Sequence, residues 1–274
     1  MPADLHCHSV RSDGTLTPKE IVMLAKTVGL SAVAVTDHDT FTGADEAVQA
    51  GKIIGIDVIY GAEVSCYDYA HGKKVHILCY LPENPEVLEP MLHNTSELRR
   101  QTLLKVLPQI LKEYPMPEEL VFAKAEGSAG FYKQHIMHAL IDAGYTGEVF
   151  GEVFKRLFGR NGTAKTRFDY PDVYEALELI HKAQGIAVLA HPAVYGNYDI
   201  IPKLIQRGLD GIEVCYPRAA AEDLKELSLI CDRYGLIKTS GTDFHGRNSK
   251  IPLMLGTCTT EDSEVEKLKK LADK

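Results

Sequence analysis

Short apolar runs recur along this chain, and nearly every one ends abruptly on a histidine or a carboxylate. Ala32-Val33-Ala34-Val35 leads into Thr36-Asp37-His38-Asp39, Val188-Leu189-Ala190 into His191-Pro192, and Thr239-Ser240-Gly241-Thr242 into Asp243-Phe244-His245. Continuous runs of this kind suit strands buried on both faces. A parallel α/β sheet or barrel brings the carboxyl ends of such strands to one face. His6, His8, Asp13, His38, Glu63, His76, His191, Asp243 and His245 would then meet around one pocket. A cluster so rich in imidazole and carboxylate is expected to hold more than one metal ion, and close cations are what phosphate ester hydrolysis requires.

The organisation along the chain fits that expectation. Thr17-Pro18-Lys19-Glu20 reads as a helix start, with a hydroxyl cap, proline in the first turn and a carboxylate three residues on. Seven candidate strands cover 3–8, 32–36, 57–63, 74–80, 186–190, 211–215 and 236–240. Between the fourth and fifth, residues 82–170 show helical stripes and no strand run of comparable quality. One stripe is Leu98, Thr102, Val106 and Ile110, interrupted at Pro108; others are Ile136, Leu140, Ala143 and Val149, Val153, Leu157. The chain therefore divides into a first barrel part (1–81), a helical insertion (82–170) and a second barrel part (171–274). Its acidic, lysine-rich end, 261–274, reads as a surface helix.

Length and charge limit the partners. At 274 residues the chain can form one α/β barrel with a large core. A net charge of −8 argues against wrapping long nucleic acid by charge alone. It leaves room for a small phosphorylated substrate or a short oligonucleotide held at its end. No stretch reaches the roughly 18 apolar residues of a membrane span, and Met1-Pro2-Ala3-Asp4, with no basic segment before an apolar run, is not expected to open a secretory signal. The six cysteines show no paired short spacing, so reduced, buried thiols in a cytoplasmic protein are expected, with no obligate protein partner evident.

Each site residue has its own argument. Residues i and i+2 of a strand share a face, so His6 and His8 point into the pocket and Cys7 away into packing. Asp4 has the same parity and is expected to orient an imidazole. Asp13 follows in the turn Ser12-Asp13-Gly14. His38 is the ligand expected from its strand end, with Asp37 and Asp39 behind it; Glu63 is expected to bridge two ions. His76 sits in a buried strand, where a solitary histidine is usually a satisfied core residue. With no thiolate in the set, oxygen and nitrogen ligands favour Mn²⁺, Fe²⁺ or Zn²⁺.

Taken together these motifs resemble the PHP (polymerase and histidinol phosphatase) family of metal-dependent phosphoesterases, over residues 1–81 and about 171–250. The motifs are Asp4-Leu5-His6-Cys7-His8-Ser9 with Ser12-Asp13-Gly14; Thr36-Asp37-His38-Asp39; Gly61-Ala62-Glu63; Val75-His76; Ala190-His191-Pro192; and Gly241-Thr242-Asp243-Phe244-His245-Gly246. The resemblance implies a distorted (β/α)7 barrel. It implies one ion on His6, His8, Glu63 and Asp243, a second on Glu63, His76 and His191, and a third on Asp13, His38 and His245. Many members carry histidine where Asp13 stands, so both two and three ions stay open.

The insertion is similar to that of the subgroup acting on nucleoside 3′,5′-bisphosphates or AMP-like nucleotides and trimming short RNA from its 5′ end. An Arg-Pro-His stretch of that subgroup is Lys133-Gln134-His135 here, which loses arginine's bidentate fork. Phosphate contacts by Lys133 and His135 are implied, with Glu63, His191, Asp243 and His135 as the catalytic set. Arg160, Lys165 and Arg167 form a basic stretch, read either as a solvated loop or as a cationic lid over phosphate. The expected reaction is in-line hydrolysis by ion-activated water. Alternatives are histidinol phosphate as substrate, which a basic insert disfavours, and a non-catalytic metal-binding regulatory barrel.

Overall fold

In a computed structural model of the protein, which describes residues 2–249, 251 and 253–273, the strands form one nearly closed ring. The first sheet is all parallel: β1 (Ala3–Cys7), β2 (Ala32–Val35) and β3 (Asp57–Val58), with α1 (Pro18–Thr27) and α2 (Thr42–Ile54) between them. The second holds β4 (Gly61–Asp68), β5 (Lys73–Tyr80), β6 (Ile186–Leu189), β7 (Gly211–Cys215) and β8 (Ile237–Ser240) in that order. Single bridges join the two sheets, Cys7 to Phe244 on one side and His38 to Glu63 on the other.

The expected strand over 57–63 is split. Its first residues pair with β2, then the chain changes partner at Ile59-Tyr60 and β4 pairs with β5 as far as Asp68. Counting β3 and β4 as one bent strand restores the seven of a distorted barrel.

The ring is not wholly parallel. A short turn, in which the Asp68 carboxylate accepts from the Ala70 amide, returns the chain from β4 to β5 as an antiparallel hairpin. β5 is antiparallel to β6 as well, while β6, β7 and β8 run parallel. The reversal puts the amino-terminal half of β5 at the rim where the other strands end. His76 pairs with Ser65 there, and Ile77 lies between Val64 and Leu189. This is why a mid-strand histidine reaches a strand-end pocket.

Two core layers sit behind the rim. Leu5, Ala34, Ile59, Leu78, Tyr80, Val188 and Ile237 fill the ring, and Tyr80 donates its hydroxyl to the Leu5 carbonyl. Burial of side chains this size stabilises by about 1.5–3 kcal/mol each. Outside it, Val75, Ile77 and Cys79 of β5 pack under α7 (Val173–Lys182), with residues of α9 (Ile201–Gln206) and α10 (Ala221–Tyr234) in the same cluster. The short α8 (Pro192–Tyr195) follows His191 directly. The terminal helix α11 (Asp262–Ala272) is more than a surface helix, because Val265 and Leu268 plug the interior cluster; Lys274 lies outside the described residues. The capping box of α1 forms as the sequence predicts, Thr17 with Glu20.

The intervening segment holds α3 (Glu89–Glu113), α4 (Glu118–Ala123), α5 (Lys133–Asp142) and α6 (Glu152–Phe158) and no strand among its described residues. Leu103, Leu107, Ile110, Val121, Ile136, Met137 and Leu157 form a core of its own, whereas Leu92, at the start of α3, belongs to the barrel cluster. Two expectations fail in α3. The helix runs through Pro108, because Leu107 and Ile110 on either side are anchored in the core against the roughly 3 kcal/mol a mid-helix proline costs. Its buried face is Leu92, Thr95, Ser96, Arg99, Leu103, Leu107 and Ile110, while Leu98 is exposed. Burying Arg99 against the barrel rotates the helix away from the purely apolar stripe.

Candidate metal centre

Glu63 is fully buried and lies within reach of five imidazoles. Its Oε1 is 2.8 Å from His76 Nδ1 and 2.8 Å from His191 Nε2. Its Oε2 is 2.9 Å from His38 Nδ1, 3.2 Å from His8 Nε2 and 3.4 Å from His6 Nε2. Asp243 Oδ1 adds a second carboxylate 3.2 Å from His8 Nε2, and Asp13 Oδ1 a third 3.2 Å from His245 Nε2.

Three groups of donor atoms, each within 4.8 Å of one another, follow from these positions: His6, His8, Glu63 and Asp243; His38, Glu63 and His76; and His8, Asp13, His38 and His245. The first matches the expected set. The second takes His38 in place of His191, which contacts the same Glu63 oxygen as His76. The third gains His8.

The donor set fits cations. His8 Nδ1, His38 Nδ1, Glu63 Oε2 and His191 Nδ1 are buried without an aligned hydrogen bond, although His38 and Glu63 nearly touch. Leaving such groups unsatisfied is costly, and divalent ions beside Glu63 and His38 would use the lone pairs of Oε2 and Nδ1.

The buried carboxylates and imidazoles also tune one another. Burial pushes Glu63 up, but His76, His38 and His6 outweigh it and hold the carboxyl well below its usual range. Burial lowers His8, yet the Asp243 and Glu63 carboxylates overcome this and raise it to about 10. His76 goes the other way, lowered by burial to about 4, so its ring is a neutral donor at physiological pH.

Local backbone strain aims several of these groups. Asp39, His191 and Asp243, each in the loop just beyond a strand, have φ of 54°, 29° and 50°. Non-glycine residues in this region cost about 1–3 kcal/mol each and cluster at functional sites. At Gly241 a Cβ would come within 2.4 Å of the His6 Cβ, so β8 passes β1 as closely as it does only without a side chain.

The surrounding carboxylates differ from expectation at one point. Asp4 orients no imidazole. Pairing of β1 with β2 slips between Asp4 and Cys7, and the Asp4 carboxylate accepts instead from the Thr242 amide and hydroxyl and the Gly256 amide. Glu213 of β7 takes the orienting role: Oε1 is 3.0 Å from His6 Nδ1, and Oε2 accepts from the His191 amide at 2.9 Å. Its signal was present in Gly211-Ile212-Glu213-Val214-Cys215, a lone carboxylate in an apolar strand. Asp37 ties down the Asp13 loop through the Ser9 amide and the Ser9 and Ser12 hydroxyls. Cys7 packs beneath α1, as expected.

A cavity of about 190 Å³ opens over Glu63, His191, Asp243 and His245. Phe150, Ile251 and Leu253 give it an apolar side, and Arg218 brings a guanidinium 3.9 Å from Asp243 Oδ2. Arg218 and Gln134 were not singled out from the sequence; Gln134 lines the cavity and donates to Asp13 Oδ2 at 2.6 Å.

The substrate residues named from the sequence lie elsewhere. The Lys133 ammonium rests over the rings of Phe158 (5.0 Å) and Phe168 (5.6 Å), which turn it into the insert. His135 is buried, its Nδ1 accepts from the Tyr132 amide, and burial lowers its pKa to about 4. Neither lines the cavity, nor do Arg160, Lys165 and Arg167, which are exposed.

A phosphoribosyl 1,2-cyclic phosphate 1,2-diphosphodiesterase of Eggerthella lenta is 34% identical over 92% of this chain and 97% of its own length. A 3′,5′-nucleoside bisphosphate phosphatase of Chromobacterium violaceum is 31% identical over 88% of this chain and 86% of its own. A solved structure of a candidate metal-dependent phosphoesterase from Bifidobacterium adolescentis superposes with a TM-score of 0.89 at 29% identity, covering 98% of this chain and 96% of that one. The PHP domain model matches residues 4–237. The chain belongs to the PHP family.

Proposed function

We propose that the protein is a metal-dependent phosphoesterase that hydrolyses a phosphate ester of a small nucleotide, such as a nucleoside 3′,5′-bisphosphate or an AMP-like monoester, with trimming of short 5′-phosphorylated oligonucleotides as a related activity. The observation that carries this reading is Glu63, one buried carboxylate with His76 and His191 at Oε1 and His38, His8 and His6 at Oε2. Two or three ions of Mn²⁺, Fe²⁺ or Zn²⁺ would be held by the nine residues His6, His8, Asp13, His38, Glu63, His76, His191, Asp243 and His245. Such ions supply an acidified water and neutralise charge on the phosphoryl oxygens.

The chain's own residues do the rest. Glu63 holds the two halves of the donor cluster together, and Glu213 fixes the His6 ring and the His191 backbone. Arg218 is placed to take a phosphate oxygen by a charge-assisted bond. Phe150, Ile251 and Leu253 offer a water-poor surface to the leaving group. An apolar surface beside a guanidinium suits a neutral nucleoside better than cationic histidinol. Residues 82–170 act in this reading as a cap, through Phe150 and Gln134 at the cavity.

A second reading is favoured by the Eggerthella lenta relative, whose similarity covers nearly its whole length: a cyclic phosphate diester on a phosphorylated ribose. The deciding experiment is a substrate panel with Mn²⁺, Fe²⁺ or Zn²⁺ containing AMP, adenosine 3′,5′-bisphosphate, a phosphoribosyl 1,2-cyclic phosphate, histidinol phosphate and a short 5′-phosphorylated RNA. Turnover of a nucleotide that stops on chelation and is abolished in Glu63→Ala is expected. Preference for histidinol phosphate, or full activity in Glu63→Ala, would overturn the reading.

A further inference from the structure

Insert side chains reach the barrel at the two loops that carry Asp13 and His38. Ser128 Oγ donates to the Ser12 carbonyl at 2.8 Å, and Tyr132 Oη to the His38 carbonyl at 3.1 Å. Arg99 donates to the Asp39 carboxylate and, at 3.0 Å, to Ser65 Oγ. Gln134 goes further, because its Nε2 donates at 2.6 Å to Oδ2 of Asp13 itself.

That bond leaves Asp13 with two unlike oxygens. Oδ2 is engaged by the amide, and Oδ1 faces His245 Nε2 at 3.2 Å and His8 Nδ1 at 3.9 Å. The His8 nitrogen is one of the buried atoms without an aligned hydrogen bond. A neutral amide suits this role: it fixes the carboxylate's rotation and adds no charge against a cation, as lysine or arginine would.

We infer that Gln134 is a positioning residue that presents Asp13 Oδ1 to an ion shared with His38 and His245, so that this ion binds tightly only when the insert is seated. By thermodynamic reciprocity the ion in turn seats the insert. The inference rests on the phosphoesterase reading for the existence of a third ion.

Calorimetric titration of the metal-stripped protein with Mn²⁺ tests it, on wild type, Gln134→Ala and Arg11→Ala. Arg11 holds the insert through the Gly127 carbonyl and pairs with Glu46, without touching a candidate ligand side chain. Wild type should take up three ions. Gln134→Ala should bind the weakest of them about 10–100-fold less tightly, the usual effect of losing a bond behind a metal ligand, with the other two and the metal-free Tm unchanged. Arg11→Ala, which leaves the Ser128–Ser12 and Tyr132–His38 contacts to seat the insert, should keep all three affinities, and Mn²⁺ should slow hydrogen exchange in residues 128–142 of wild type but not of Gln134→Ala. Three ions in wild type with unchanged affinities in Gln134→Ala would overturn the inference alone, as would equal losses in both variants. Wild type taking up only two ions would overturn the three-ion reading and the role of Gln134 together.

Discussion

Glu213 shows how residues outside the expected ligand set govern the site, since one carboxylate steers both the His6 ring and the His191 amide. Glu213→Gln keeps the shape but weakens the charge-assisted bond. It should lower metal affinity or turnover by about 10–100-fold while leaving the circular dichroism spectrum unchanged; wild-type metal affinity would show that Glu213 is only packing. The cluster's own titration gives a second prediction. Burial lowers His8, but Asp243 and Glu63 raise it to about 10, above the ordinary value of about 6.5. A raised folded-state pKa gives stability that is fully present below about 6.5 and lost as pH rises through about 10. The metal-stripped protein should therefore have its Tm fall between pH 7 and pH 10.5, and His8→Gln should flatten that decline; an equal decline in both would exclude His8 as its source. At this scale the candidate donor cluster was legible, because imidazole and carboxylate soon after apolar runs have few other uses. The roles of Glu213, Arg218 and Gln134 were not, although Glu213 stands out in its apolar strand, because they depend on partners 22 to 207 positions away.

Among the elements, α3 couples insert and barrel. Arg99 is nearly fully buried, donates to Asp39 and Ser65, and stacks over Tyr132 at 4.9 Å. Breaking a buried ion pair from one side leaves an uncompensated charge and costs about 3–5 kcal/mol. Arg99→Met should destabilise the protein by that order in urea unfolding and expose 103–168 to early protease cleavage. A loss below about 1 kcal/mol would mean that the pair behaves like a surface one and that the insert is held by other contacts. The alternation of strand and helix was readable from period and caps, as Thr17 with Glu20 illustrates. The reversal of β5 was not, because a run apolar on both faces carries no direction; only the short Asp68–Lys73 turn decides it. The true face of α3 escaped for a related reason: a pattern of apolar residues cannot register a buried arginine whose partner lies 60 residues earlier.

In the whole molecule, a packed interior of Leu5, Leu78, Tyr80 and Val188 supports a rim that gathers nine ligand-type side chains from both barrel parts, and the insert covers one side of it. Ions that bind only the folded state stabilise it by mass action, about 2.7 kcal/mol at a hundredfold excess over Kd, so chelation should lower Tm as well as end turnover. The most direct test is anomalous X-ray diffraction at the zinc edge from crystals grown with Zn²⁺. At least two strong peaks flanking Glu63 are expected, each about 2.0–2.2 Å from one of its oxygens. A map with no peak beside Glu63, or with ions only on the surface, would contradict this expectation.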